Sequence, residues 1–257
     1  MRQGSVDGRS AHAGKVTQRE AVLQRFHAVR PGVTSATLRR GAAGPGGDGY
    51  DRLVAAVPSG ARVLDLACGD RFLVSRLGPR AVGVDLAPSI EPGGSGPLVC
   101  GRAQALPFAA AAFDACVCHL AFMLFDELDA VVSELRRVIR PGGVFAAVLG
   151  GGPTADDRDG CAFHRFLAIA APRGPGYGDR RARTEAGWAA LFDARPTFER
   201  FELDVSGSFD DVWRFLGASY QLAGDDAPRV REALRVAYAD RAVVPCRLVM
   251  WLATVGL

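Results

Sequence analysis

The sequence lacks both the charge of a typical nucleic-acid-binding protein and the apolar length of a membrane span. Its formal net charge is only +3 over 257 residues, which is too small to indicate a basic nucleic-acid surface. Lys15 is the only lysine, and we interpret the arginine excess as codon bias in a GC-rich genome rather than a phosphate-binding patch. No apolar run approaches the ~20 residues of a membrane helix. We therefore expect neither a nucleic-acid partner nor a membrane anchor.

The sequence also shows no secretory signal peptide, and its cysteines do not indicate a disulfide framework. Six cysteines are present. Three of them fall in apolar, strand-like runs, where a free thiol behaves as a small hydrophobe. Disulfides are rare in the reducing compartment that is the default without a signal peptide. We therefore expect a soluble, cytoplasmic protein with free thiols.

From residue 61 onward the chain contains alternating strand-like and helix-like segments. Apolar β-branched runs predict strands, and apolar residues at helical spacing predict helices. The predicted strands are 62–66, 81–85, 98–100, 114–118 and 144–149, with helices at 72–77 and 128–139. This alternation predicts an α/β fold with a doubly wound, mostly parallel sheet. The chain closes with predicted strands at 198–205 and 247–255, the last antiparallel, and predicted helices at 209–216 and 229–239.

Segments outside this alternation define the rest of the domain. Residues 1–16 are polar, glycine-bearing and aperiodic, so we expect a disordered leader. Thr17 and Glu20 match a capping box before an apolar helix. We expect one domain over 17–257, with an N-terminal helical lid over 17–58 and a flexible glycine-rich hinge over 41–49. Residues 151–196 interrupt the alternation of strands and helices, which predicts a helical cap at the carboxyl edge of the sheet.

Two acidic residues end the first two predicted strands. Asp65 precedes a turn that contains Ala67 and Gly69, and Asp85 follows on the next strand. A strand, a glycine-bearing turn, a helix and a second strand ending in an acidic residue form a binding pocket for an adenosine-containing cofactor. Small residues let the backbone approach the ligand, and the second carboxylate can accept hydrogen bonds from a ribose diol.

Successive blocks between residues 62 and 149 resemble the class I S-adenosylmethionine-dependent methyltransferases, in that family's order. Residues 63–70 resemble its glycine-rich first motif, and residues 83–85 resemble its acidic second motif. The later blocks resemble the third strand, the fourth strand and the turn before the fifth strand, at residues 102–108, 113–119 and 137–143. The resemblance implies a Rossmann-like fold, S-adenosylmethionine as cofactor and methyl transfer as the reaction.

The resemblance also assigns roles to individual residues. It implies that Asp65 braces the first turn at the methionine end of the cofactor, and that Asp85 holds the ribose hydroxyls. The other residues that it implies contact the cofactor through backbone or packing: Ala67 and Gly69 in the turn, Leu86 on the adenine face, Ala103 and Gln104 at the adenine edge, and Cys118 and His119 beside the methionine portion.

Three features depart from the family pattern. Arg71 stands where the third glycine is usual, and we expect it to shield the pocket or to pair with the cofactor carboxylate. Arg102 stands where an acidic residue is usual, so a side-chain acceptor for the adenine amine is missing. Residues 87–96 contain two prolines and three glycines, so we expect the crossover helix there to be very short or absent.

Candidates for catalysis are two histidines near the predicted ligand crevice. His119 is a candidate base or acceptor-orienting group, the alternative being a histidine hydrogen-bonded to backbone. His164 in the cap is a second candidate base, the alternative being a surface or helix-packing histidine. Tyr177 could line the acceptor site or be exposed to solvent. Residues 122–125 could form the base of the acceptor site or belong to the core.

A metal site is a further interpretation, suggested by Cys116, Cys118 and His119. A strand places His119 on the opposite face from the two cysteines, so we expect no metal.

These patterns together predict an S-adenosylmethionine-dependent methyltransferase that acts on a small organic acceptor in specialised metabolism, as a monomer or homodimer. One alternative is an enzyme of the same fold that holds the cofactor while it catalyses a cyclisation or rearrangement. Another is a binding module without enzymatic activity. A nicotinamide dehydrogenase is disfavoured, because Gly-x-Gly-x-x-Gly is absent after the first strand.

Overall fold

The computed structural model of the protein describes residues 17–30, 32–86, 94–154, 160–170, 178–220, 222 and 226–257. The predicted leader, Tyr177 and most of the 87–96 segment lie outside these residues. The helices are α1 (Gln18–Val29), α2 (Val33–Leu38), α3 (Gly49–Ala56), α4 (Phe72–Leu77), α5 (Leu128–Val138), α6 (Ala162–Ala170), α7 (Glu185–Phe192), α8 (Phe209–Leu216) and α9 (Ala227–Ala237). The strands are β1 (Ala42–Ala43), β2 (Val63–Leu66), β3 (Ala81–Asp85), β4 (Leu98–Cys100), β5 (Phe113–His119), β6 (Ile139–Pro153), β7 (Thr197–Asp204) and β8 (Arg247–Gly256).

These strands form one sheet in the order β1-β7-β8-β6-β5-β2-β3-β4. The pairs β4–β3, β3–β2, β2–β5 and β5–β6 are parallel. The pairs of β8 with β6 and β7, and of β1 with β7, are antiparallel. This arrangement confirms the predicted α/β class, with a parallel sheet and antiparallel strands at the terminal edge.

The position of β2 in the sheet determines where a ligand can enter. β2 pairs with β3 on one side and with β5 on the other, so the strand order reverses there. Loops leave such a switch point in opposite directions and open a crevice at the carboxyl ends of the strands. Because Leu66 pairs with Val84, β2 and β3 end nearly level, and Asp65 and Asp85 reach the same edge.

Alternation along the strands fills two apolar layers, one on each face of the sheet. In β5, Cys116 and Cys118 enter the layer that contains α5 and α7, whereas Val117 enters the layer that contains α3. Leu135 of α5 and Leu53 of α3 are fully buried in these layers. Burying a side chain of this size contributes roughly 1.5–3 kcal/mol, so the two layers hold the strand ends in fixed positions.

Several element boundaries differ by a few residues from the sequence prediction, and two of the differences result from long-range strand pairing. The helix predicted to end at Ile139 ends at Val138, because Ile139 pairs with Phe113 and already belongs to β6. The segment 41–49 contains β1, which forms by pairing Ala42 with Asp204 of β7. Within the described ranges, no helix has the length and apolar character needed to span a bilayer.

Candidate functional site

In the turn after β2, every second residue has a left-handed backbone conformation. Ala67, Gly69 and Arg71 have φ values of 58°, 51° and 65°. The turn is tied to β3 because the Cys68 N–H donates to the Val84 carbonyl over 3.1 Å. The Gly69 N–H donates to Asp85 Oδ2 over 2.9 Å. The backbone beside the cavity is therefore fixed before any ligand arrives.

Asp65 is an unusual carboxylate for a strand interior. Its side chain is 2% exposed, and its Oδ2 accepts no hydrogen bond from the residues that the structure describes. Burial raises the pKa of the Asp65 carboxyl well above its usual range, and the charges of Asp85 and Asp70 raise it further. A buried acceptor without a donor is unfavourable, so this oxygen is suited to a cationic or N–H-bearing ligand.

A cavity of about 1420 Å³ opens at the carboxyl ends of β2, β3 and β5. Eight of the nine expected cofactor-binding residues line it: Asp65, Ala67, Gly69, Asp85, Leu86, Ala103, Gln104 and His119. The ninth, Cys118, lies outside the lining and is fully buried in the opposite apolar layer. The physical reason is the alternation of β5, which turns His119 toward the cavity and Cys118 away from it.

Helices α1 and α2 cover one side of the cavity. Gln24 of α1 donates from Nε2 to the Leu86 carbonyl over 3.3 Å, and the Ser35 hydroxyl of α2 donates to Asp70. His27 of α1 contacts Tyr220, with 2.6 Å between Nε2 and the phenol oxygen. These contacts place the N-terminal helices where a lid would lie.

Arg102, the residue at the usual acidic position, takes part in this lid. Its Nη2 donates to Glu20 Oε1 over 2.8 Å, and both side chains are largely buried, at 14% and 16% exposed. Burial raises the pKa of Glu20, but hydrogen bonds from the Thr17 N–H and from Arg102 outweigh it, so the pKa of Glu20 is lowered overall. The Arg102–Glu20 pair therefore connects α1 to the loop after β4.

His119 lies at the end of β5, against an aromatic ring. Its imidazole stacks on the Tyr50 ring with centroids 3.9 Å apart and planes at 15°. Burial lowers the pKa of His119 to about 3, so the ring is neutral near pH 7. A neutral imidazole there can donate or accept a hydrogen bond, but it binds a proton weakly.

The remaining candidates divide between the cavity and other parts of the fold. His164 lies outside the lining among the described residues, and its Nε2 is 3.2 Å from the Thr154 carbonyl oxygen. Arg71 also lies outside it, with its guanidinium directed to the Gly96 carbonyl at 3.5 Å. In the 122–125 segment, Met123, Leu124 and Phe125 line the cavity, whereas Phe122 packs on Trp188 in the core.

Further parts of the cavity wall come from the predicted cap and from C-terminal segments that the sequence analysis did not place there. Apolar side chains from α6, α8 and β8 line the cavity, including Phe163, Leu167, Phe215 and Met250. Arg183, at the end of a 3₁₀ helix (Arg180–Arg183), adds a positive charge. Sequence spacing carried no signal for these contacts, because the segments meet only through the tertiary fold.

Comparisons with known proteins agree with this geometry. A family model described as a methyltransferase domain matches residues 64–147. An uncharacterised methyltransferase of Synechocystis sp. is 31% identical over 105 residues, covering 36% of this chain and 49% of that protein. A malonyl-[acyl-carrier protein] O-methyltransferase of Methylococcus capsulatus is 37% identical over 103 residues, covering 35% of this chain and 37% of that protein. These alignments thus span half or less of the curated relatives.

The overall architecture also has counterparts among solved structures. A crystal structure of a candidate methyltransferase from Bacillus halodurans C-125 superposes with a TM-score of 0.53 at 18% identity. The match covers 82% of this chain and 99% of the other. At this identity the likeness concerns the fold, which extends well beyond the matched motif region.

Proposed function

We propose that this chain is a class I S-adenosylmethionine-dependent methyltransferase and that it methylates a small organic acceptor with S-adenosylmethionine as donor. The match of residues 64–147 to a methyltransferase domain supports the proposal. The observation that carries this proposal is the pair of carboxylates at the ends of adjacent strands. Asp65 and Asp85 both line one cavity, and Asp65 keeps a buried oxygen without a donor among the described residues.

The residues present fit the proposed cofactor. The methionine ammonium would supply the donors and the positive charge that Asp65 Oδ2 lacks, which offsets the desolvation of that carboxylate. Asp85, on the next strand, would accept hydrogen bonds from the ribose hydroxyls. Leu86, Ala103 and Gln104 line the same cavity and would border the adenine.

The size of the cavity supports a second ligand beside the cofactor. Its volume of about 1420 Å³ exceeds the roughly 300–1,000 Å³ typical of a pocket for one small molecule. Apolar side chains of α6, α8 and β8 line part of this cavity. We propose that this part of the cavity holds a partly hydrophobic acceptor.

When bound, S-adenosylmethionine supplies a methyl group activated by a sulfonium. The residues of the chain contribute mainly position, since an in-line displacement depends on the alignment of its reacting atoms. His119 is neutral near pH 7 because its pKa is about 3, so we propose that it orients the acceptor by hydrogen bonding. The lid helices would exclude water from the cavity.

Calorimetry with the purified protein tests this proposal. We expect S-adenosylmethionine and S-adenosylhomocysteine each to bind with one site per chain and to raise the melting temperature. No heat and no thermal shift at millimolar ligand would contradict the proposal. Once an acceptor is found, equimolar S-adenosylhomocysteine and product would exclude a rearrangement that leaves the cofactor intact.

A further inference from the structure

Among the residues that the structure describes, three arginines line the cavity, and they differ in their partners. Arg19 pairs with Asp126 over 2.9 Å, and Arg102 pairs with Glu20 over 2.8 Å. Arg183 forms no ion pair with any carboxylate of the described residues. Among the described residues, its guanidinium contacts the Met123 thioether, whose sulfur lies 3.4 Å from Nη1. A thioether sulfur is a weak acceptor, so no carboxylate of the described residues compensates the charge of Arg183.

The neighbours of Arg183 do not change this conclusion. Arg181, on the same 3₁₀ helix, is held by Asp129 and Asp179 at 2.7 Å each. Asp226 also lines the cavity, but it pairs with Arg229 over 3.3 Å. Desolvation by surrounding protein atoms lowers the pKa of Arg183. A partly desolvated guanidinium without a counter-ion favours an anionic ligand.

We propose that the acceptor is an apolar organic acid whose carboxylate pairs with Arg183. This inference rests on the proposed methyltransferase function and specifies its substrate class. The planar guanidinium matches a carboxylate in a bidentate geometry. The cavity walls supplied by Phe163, Leu167, Phe215 and Met250 suit the hydrocarbon part of such an acid.

The protonation states of the cavity agree with an acceptor that is already anionic. His27 and His119 are the histidines that line the cavity within the described ranges. The pKa of His119 is lowered to about 3 by burial. Burial also lowers the pKa of His27, although the charge of Asp85 opposes that shift. A carboxylate is ionised at neutral pH without help from either ring.

Binding of matched acids and alcohols to the protein saturated with S-adenosylhomocysteine tests the inference. The probes are decanoate against 1-decanol, and 3-phenylpropanoate against 3-phenylpropan-1-ol. We expect at least one acid to bind tenfold or more tighter than its alcohol. R183Q should remove that preference, and R183K should retain part of it. R180Q, which changes an arginine on the same 3₁₀ helix, should leave the preference unchanged.

The affinity for S-adenosylhomocysteine separates the possible failures. This affinity should be the same in the wild type, R183Q and R180Q. Equal affinities would also show that the two variants are folded. If the nucleoside binds but neither acid is preferred over its alcohol, or if R183Q keeps the preference, the Arg183 inference is overturned and the proposed function stands. If the nucleoside does not bind to the wild type, both are overturned.

Discussion

Asp65 is the residue at which folding and ligand binding oppose each other most clearly. Its folded pKa is raised well above that of an exposed aspartate. Below its unfolded pKa, the Asp65 carboxyl is protonated in both the folded and the unfolded state, so it does not oppose folding. As the pH rises from the unfolded pKa toward the folded pKa, the unfolded state releases the proton first and the free energy of unfolding falls. At pH values above the unfolded pKa, the tendency of this carboxyl group to ionise therefore opposes folding of the ligand-free protein, and a bound cation would relieve this effect.

We predict that Asp65→Asn stabilises the ligand-free protein by roughly 1–3 kcal/mol near pH 8. The amide removes the buried charge, so its advantage over the wild type should shrink as the pH falls and the wild-type carboxyl takes up a proton. Chemical denaturation between pH 5 and 9 measures this. The same variant should bind S-adenosylhomocysteine more weakly, and a variant that is less stable and binds normally would contradict the role of Asp65.

Asp85 differs from Asp65, because its carboxylate already accepts a hydrogen bond from the Gly69 N–H. We predict that Asp85→Ala weakens S-adenosylhomocysteine binding by roughly 2 kcal/mol, about 30-fold, since charged hydrogen bonds to the ribose are lost. Asp129→Ala is the matched control, because Asp129 pairs with Arg181 at the surface. Titration calorimetry compares the two, and equal affinities would mean that the ribose lies elsewhere.

At the scale of elements, the lid α1 depends on polar contacts rather than on burial. No α1 residue is fully buried, and Val22 is 38% exposed. Its connection to the domain includes the Arg102–Glu20 pair and the Gln24 bond to the Leu86 carbonyl. An element with little apolar burial opens at a low free energy, which is what a cofactor lid requires.

We predict that Glu20→Gln accelerates dissociation of S-adenosylhomocysteine several-fold while it changes the melting temperature little. Glutamine can still accept the Thr17 N–H of the capping box, but it loses the charge that pairs with Arg102. Stopped-flow displacement measures the rate. Glu232→Gln, an exposed change on α9, is the control, and identical dissociation rates in both variants would show that the pair does not hold the lid.

The cap segment joins the sheet through a different, apolar contact. Trp188 of α7 is fully buried, stacks on Phe145 at 5.3 Å, and donates from its indole to the Ala182 carbonyl over 2.8 Å. We predict that Trp188→Ala lowers the free energy of unfolding by roughly 3–5 kcal/mol. Val236→Ala, at a 69% exposed position, should change it little. Comparable losses in denaturant midpoint would contradict this role for the tryptophan.

For the whole molecule, the sequence predicted those features whose residues are close together in the chain. Asp65 and Asp85 belong to one strand, turn, helix and strand unit, so their meeting at one sheet edge follows from local patterns and the parallel pairing of β2 with β3. The alternation of β5 likewise predicted opposite faces for Cys118 and His119. These relations follow from the register of paired strands and from the two-residue alternation of side chains along a strand.

The remaining features of the cavity could not be predicted because distant segments create them. Glu20 and Arg102 are 82 residues apart, and the sequence shows Arg102 only as a departure from an acidic position. Arg183 reaches the cavity through the packing of the cap, and the spacing of its neighbours resembles that of any surface turn. His164 had the right residue type in the right segment, but its side chain faces the Thr154 carbonyl.

The central claim is that the cavity at the ends of β2 and β3 binds an adenosyl cofactor with its ribose on Asp85 and its ammonium at Asp65. A crystal structure of the protein soaked or grown with S-adenosylhomocysteine tests this most directly. We predict ribose hydroxyls within hydrogen-bond distance of the Asp85 carboxylate, and the amino group within that distance of Asp65 Oδ2. A nucleoside bound elsewhere, or a cavity closed by side chains of the lid, would contradict the claim.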